Sequence, residues 1–154
     1  MRWSNVPVPE PFIAAIAGAC ALHAVLPLQL PVARNTRLAL AGPMLATGIG
    51  LASWAVVSAG DTDVEKDTSL VTTGPYALTR NPMYLGWSLG ILGLAFGTGS
   101  AWLLVGSLAA VRAIDREVHV EEMRLSGRFG AAYKAYRDRV PRYLPAVQLR
   151  TRLP

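Results

Sequence analysis

The chain has 154 residues, 52% of them hydrophobic and only 16% charged, with a formal charge of +5 and a mean hydropathy of +0.32. Ten of its fifteen Lys and Arg residues fall at positions 112–152, behind the apolar segments. That balance excludes an ordinary soluble α/β enzyme, argues against a nucleic-acid partner, and fits one small polytopic membrane domain.

The first ten residues carry no signal-peptide cleavage pattern, so the first apolar run is expected to stay in the mature protein. That run, residues 12–30, is uncharged over 19 residues, about enough to cross a ~30 Å hydrocarbon layer. Pro27 and Pro31 loosen its end, and Arg34 and Arg37 close it. It holds the single cysteine, Cys20, so there is no disulfide framework. His23 reads as structural, and it is too far from His119 in sequence for a zinc motif, so no metal is expected. Run two, residues 38–60, has no charge over 23 residues and is the clearest membrane helix. Gly42, Thr47, Gly48, Gly50 and Ser53 supply small residues for close helix packing. No strand precedes Gly48-Ile49-Gly50, so it is not a nucleotide loop.

An acidic, solvated stretch at 61–69 leads into a polar connector at 70–86. Gly74-Pro75 forces one turn in it and Asn81-Pro82 another. Asn81 is expected to be extended, because a residue before proline is pushed out of the α region. Pro82 then opens a helix at its first turn, and the backbone N–H groups there offer a place for an anionic ligand group. Tyr76, Arg80 and Tyr84 bring three large hydrogen-bonding side chains to the same stretch. On local grounds alone it also reads as an ordinary capped loop between two spans.

Run three, residues 83–111, is uncharged over 29 residues. A single helix of that length would be ~43 Å long, too long for a bilayer without strong tilt. Gly97-Thr98-Gly99-Ser100 supplies a turn, so a helical hairpin with arms at 83–96 and 101–111 is expected. Residues 112–125 continue as a charged helix, break near Gly127 and resume over 129–137. Phe129, Tyr133 and Tyr136 share one aromatic face, which also reads as an interfacial anchor. Pro141 and Pro145 end the regular structure. The expected fold is all-α: a polytopic integral membrane protein with about four transmembrane helices (12–30, 38–60, 83–96, 101–111) and cytoplasmic helices over 112–145. The basic C-terminal third places both termini and the 61–82 loop in the cytoplasm. The hairpin returns the chain to the side it left, so the 74–84 loop and Glu121-Glu122 can meet at one membrane surface.

Gly74-Pro75-Tyr76, Arg80-Asn81-Pro82-Met83-Tyr84-Leu85-Gly86, Glu121-Glu122, Phe129-Gly130-x-x-Tyr133-x-x-Tyr136 and Val140-Pro141 occur in that order. Together they resemble the isoprenylcysteine carboxyl methyltransferase family, part of a wider group of membrane methyltransferases that includes phospholipid N-methyltransferases. The resemblance covers roughly the last ninety residues. It implies S-adenosylmethionine bound on the cytoplasmic side and a lipophilic acceptor entering from the membrane. By position it implies that Thr68, Ser69, Leu70 and Val71 line the cofactor and that Tyr76 packs on it. Asn81, Pro82, Met83 and Tyr84 would hold it, and Glu121 would be its carboxylate partner. Two positions depart from the family pattern. Asn81 stands where the family has a histidine, and it cannot become cationic. Glu117 stands where the family has a substrate-positioning arginine, and Arg116 beside it is turned by about 100° on a helix.

The expected chemistry is methyl transfer from a sulfonium, an in-line displacement in which the protein aligns the acceptor and excludes water. The sulfonium and its amino-acid tail call for an anion, aromatic faces and a dry pocket. Glu117 and Arg116 are the candidate residues toward the acceptor, with Glu117 or Glu121 able to take a proton from an amine. The alternatives are a lipid-amine or small-thiol methyltransferase on the same scaffold and a non-catalytic membrane protein with this fold. A pure scaffold has no need of paired acids beside an apolar helix.

Overall fold

A computed structural model describes residues 10–60 and 69–143. Four α-helices follow one another: α1 (Glu10–Val25), α2 (Arg34–Ala59), α3 (Pro82–Thr98) and α4 (Ala101–Arg139), with a 3-10 turn at Gly74–Ala77 ahead of α3. Among the described residues β-structure is limited to one isolated bridge between Gln29 and Ser100.

The helix ends follow local chemistry. α1 stops at Val25, five residues before the apolar run ends, because Pro27 has no N–H and pushes Leu26 out of the α region. The freed segment lies along the α3–α4 link, with Leu30 N donating to Gly99 O (2.8 Å) and Ala101 N to Leu28 O (3.0 Å). α2 starts at Arg34, ahead of the uncharged stretch, and takes Arg34 and Arg37 into its first turns. The third apolar run is two helices. α3 ends in a left-handed Gly99, and the Ser100 hydroxyl then caps α4 by accepting from Leu103 N. α4 continues from Ala101 through Arg112 as one helix. One expected interruption is corrected: the helix also passes Gly127, where a helical glycine costs only about 1 kcal/mol. Its break is at Gly130, with φ 50° and ψ −119°, a conformation open to glycine alone.

The tightest seam joins α2 to α3. A Cβ on Gly48 would stand 2.7 Å from Gly86 O and 2.9 Å from Gly90 N, and one on Gly86 would stand 2.8 Å from Gly48 O. The glycines let the two backbones touch. On its other side α3 runs antiparallel to α4: Ala95 clusters with Leu103 near the link, and Ile91 with Ala110 and Ile114 further along. Phe12 of α1 fills the space beside them and stacks on Trp87 at 6.4 Å between centroids. At the link end His23 lies 3.3 Å from Ser100 Oγ, and Trp102 Nε1 donates to Leu26 O. His23 thus belongs to the fastening of α1.

α2, with 26 residues, is the one described helix long and apolar enough to cross a membrane; α1 is apolar but shorter. Large apolar side chains face outward on three helices: Ile13 and Leu22 on α1, Ile49 and Val57 on α2, Val105 and Leu108 on α4.

The glycine seam makes a prediction. Gly48→Val should lower the thermal midpoint of the detergent-purified protein by an amount equivalent to about 1–3 kcal/mol, the usual cost of overpacking. Gly42→Ala, where a Cβ would meet nothing within 4 Å, should leave the midpoint unchanged or raise it, alanine being the better helix former. Equal midpoints for Gly48→Val and the parent would disprove the seam.

Candidate active site

The connector and the second half of α4 line a recess that is partly open to solvent. Ser69, Leu70, Val71, Tyr76, Arg80 and Asn81 form one wall, and Glu121, Glu122, Leu125, Tyr133 and Tyr136 form the other. Gly130 makes this possible. Its turn redirects the last stretch of α4, so that Tyr133 (1% exposed) and Tyr136 (4% exposed) bury themselves with Val140 against Leu70, Leu125 and Phe129. The aromatic face is therefore a wall of the recess and not an interfacial anchor. The Tyr136 hydroxyl donates to Tyr76 O at 2.7 Å, tying that wall to the 3-10 turn.

One carboxylate locks the assembly. Arg80 Nε and Nη2 donate to Glu122 Oε1 at 3.0 and 2.7 Å. Arg142 Nη2 donates to Glu122 Oε2 at 2.6 Å, and its Nε to Oε1 at 3.2 Å. Arg80 Nη1 also donates to the carbonyls of Arg137 and Val140, both at 3.0 Å. It thereby satisfies acceptors that the end of a helix leaves unpaired. Residues 140–143 run as a strap along the connector. Arg80 N donates to Pro141 O, and Thr79 Oγ1 and Asn81 Nδ2 both donate to Arg142 O, at 3.0 and 3.1 Å. Tyr143 closes the strap by donating its hydroxyl to Asp115 Oδ1 at 2.9 Å.

Electrostatics follow from burial and these partners. Burial raises the Glu122 carboxyl, but hydrogen bonds from Arg142 and Arg80, with their charges, outweigh it and hold the group below the ordinary carboxylate range. Burial, reinforced by the charge of Glu121, pushes the Tyr76 phenol up to about 12. Tyr133 is likewise pushed up to about 12, by burial and then by Glu122, and Tyr136 rises for burial and its neighbour Tyr133. All three remain neutral aromatic faces with a proton to donate.

The residues singled out from sequence divide into three groups. Ser69, Leu70, Val71, Tyr76, Asn81 and Glu121 come together in the recess. Asn81 does so as a wall residue whose amide nitrogen is committed to the strap. Tyr84, Arg116, Glu117 and Glu121 line an adjoining groove with Val120 and Arg124, in which Glu117 and Arg116 are exposed. Pro82 and Met83 are buried, with Met83 packed against Ala55 and Val56 of α2. Neither Pro82 nor Met83 lines the recess. Thr68 lies outside the described residues. Sequence reasoning missed Arg142, Asp115 and Tyr143, although the density of arginines around 137–142 was a usable sign that some of them pair inward.

The profile of the phospholipid methyltransferase family matches residues 36–132. The protein-S-isoprenylcysteine O-methyltransferase of Schizosaccharomyces pombe is 35% identical over 83 residues, covering 53% of this chain and 35% of that protein. Its namesake from Xenopus laevis is 35% identical over 81 residues, or 52% of this chain and 28% of the relative. The cobalt-zinc-cadmium resistance protein CzcN of Cupriavidus metallidurans is 36% identical over 85 residues, or 54% and 39%. The matched segment thus spans roughly a third of these relatives' lengths. No solved structure gives a significant match.

The lowered Glu122 carboxyl sets a pH dependence. A group whose folded value is depressed stabilises the fold above its unfolded value, and the contribution disappears as pH falls through the folded one. The thermal midpoint should therefore drop below about pH 4, the range where carboxylates protonate. Glu122→Gln should be less stable at neutral pH and should show a shallower acid limb. A variant as stable as the parent across this range would remove the carboxylate from the centre of the assembly.

Proposed function

The chain belongs to the phospholipid methyltransferase family, and from that premise we propose that it is a membrane-embedded, S-adenosylmethionine-dependent methyltransferase acting on a lipophilic acceptor in the manner of an isoprenylcysteine carboxyl methyltransferase. The observation that carries the reading is a shared wall. Glu121 lines both the recess and the groove that holds Tyr84, Arg116 and Glu117, so a donor in one and an acceptor in the other would meet there.

The recess residues suit this cofactor. Glu121 offers a carboxylate for an ammonium, Tyr76 and Tyr133 offer neutral aromatic faces for a sulfonium, and Leu70, Val71 and Leu125 exclude water. When bound, the cofactor supplies a methyl already activated on a positive sulfur. The protein's task is then alignment. Tyr136 fixes the turn that carries Tyr76, and Arg80 and Glu122 hold the connector against α4. Tyr84 marks the passage to the acceptor side, where Glu117 and Arg116 would meet the acceptor's polar head. In the same reading α1, α2, α3 and the opening of α4 sit in the bilayer, with the recess and both termini cytoplasmic. The outward apolar side chains on those helices support this, as does the basic C-terminal third.

A second reading rests on Glu117. An exposed carboxylate in the acceptor groove suits an amine head better than a carboxylate head, which it would repel. An amine acceptor must lose a proton to attack, and Glu117 stands where it can accept one.

The test is transfer of labelled methyl from S-adenosylmethionine into a total lipid and small-molecule extract by the detergent-purified protein. Label should enter a lipophilic product. Glu121→Gln and Tyr84→Ala should each slow it about a hundredfold, the scale of a misaligned acceptor, while Glu10→Gln leaves it unchanged. An alkali-labile product marks a carboxyl acceptor, and an alkali-stable one marks an amine or thiol. No incorporation by folded protein, or equal rates in both site variants, would sink the proposal.

A further inference from the structure

A second cavity lies between α3 and α4, lined by Tyr84, Leu85, Ser88, Val111, Ile114 and Tyr143. Tyr143 was not among the residues singled out from sequence. It lies beyond the stretch matched by the family profile and arrives on the strap, where its hydroxyl donates to Asp115 Oδ1 at 2.9 Å and Arg142 beside it is bound to Glu122.

The cleft is made for an apolar occupant. The Ser88 hydroxyl donates to Tyr84 O at 2.8 Å, and that of Tyr143 is committed to Asp115. Leu85, Val111 and Ile114 contribute only hydrocarbon. The cleft is also continuous with its surroundings at both ends. Tyr84 belongs to it and to the groove of Glu117 and Glu121. Val111 is itself 40% exposed and follows Leu108, which is 64% exposed on the outward apolar face of α4. A chain attached to a head in the groove would pass Tyr84, lie between α3 and α4 and leave along Val111.

We propose that Tyr143 is a specificity-determining residue: it walls the cleft that takes the acceptor's hydrocarbon chain and sets how broad a chain can lie there beside the reacting head. This rests on the methyltransferase reading and deepens it by naming the residue that selects the chain. The ring supplies the bulk and Asp115 holds it in place, so a smaller residue at 143 widens the cleft without touching the recess.

The test uses the full chain in detergent with two photoprobes, S-alkylcysteines that carry a diazirine on a straight chain or on a branched isoprenoid chain. Labelling is mapped by peptide mass spectrometry, and binding of S-adenosylhomocysteine is measured separately. Labelling should fall on Val111, Ile114 and Tyr143. Tyr143→Ala should shift the branched-to-straight ratio upward on the order of tenfold, the scale on which an apolar pocket distinguishes one methylene. Tyr143→Phe and Asp115→Ala each keep the ring and remove the bond that holds it, so both should move the ratio in the same direction as Tyr143→Ala, by less. The proposal is overturned if folded Tyr143→Ala keeps the parent ratio or if labelling is confined to α2. Should Tyr143→Ala not fold, an unchanged ratio in Asp115→Ala overturns it as well. Loss of S-adenosylhomocysteine binding by the parent would count against the cofactor reading, and the labelling pattern would still decide the cleft.

Discussion

The carboxylate of Glu122 joins three stretches that are distant in sequence: the connector through Arg80, α4 through its own backbone, and the strap through Arg142. Two guanidiniums on one carboxylate leave a net positive charge, which would be costly in a dry interior. Here Arg142 reaches partly into solvent, with 31% of its side chain exposed, while Arg80 keeps only 10%. The inner cation is therefore the one that needs Glu122 most, and it is also the one bonded to the carbonyls of Arg137 and Val140. Everything that forms the recess wall, from Tyr76 to Tyr136, hangs on that arrangement.

The rest of the bundle serves to bring those stretches within reach. Backbone contact at Gly48 and Gly86 fixes α3 against α2, and the link at Gly99 and Ser100 sends α4 back along α3. The start of α3 and the middle of α4 therefore lie side by side, although Tyr84 and Glu121 are far apart in the chain. The recess, the groove and the cleft are consecutive gaps along that pairing, joined at Glu121 and Tyr84.

What could be read from sequence was what local chemistry decides. Proline and glycine marked the turns at 74–75 and 81–82, and uncharged length marked the helices. Face assignment was harder. Consecutive residues on a helix differ by about 100°, so Pro82 and Met83 turn into the bundle while Tyr84 lines the groove, and Glu122 faces the two arginines while Glu121 faces recess and groove. A motif read as a string assigns Pro82, Met83, Tyr84 and Glu121 to one ligand. The tyrosines at 133 and 136 were visible as a face, but the direction of that face depends on the backbone angles of Gly130, which no pattern of side chains records. Arg142 lies 20 residues from Glu122 and more than 60 from Asn81, a separation at which only tertiary structure pairs them.

Backbone hydrogen exchange of the detergent-purified chain, with and without S-adenosylhomocysteine, tests the central claim most directly. If the connector, α4 and the strap form one cofactor site held by Glu122, added ligand slows exchange together at residues 69–81, 121–125 and 133–143. The link end around His23 and Ser100 should be unaffected. No protection, or protection confined to the link end, would contradict the account.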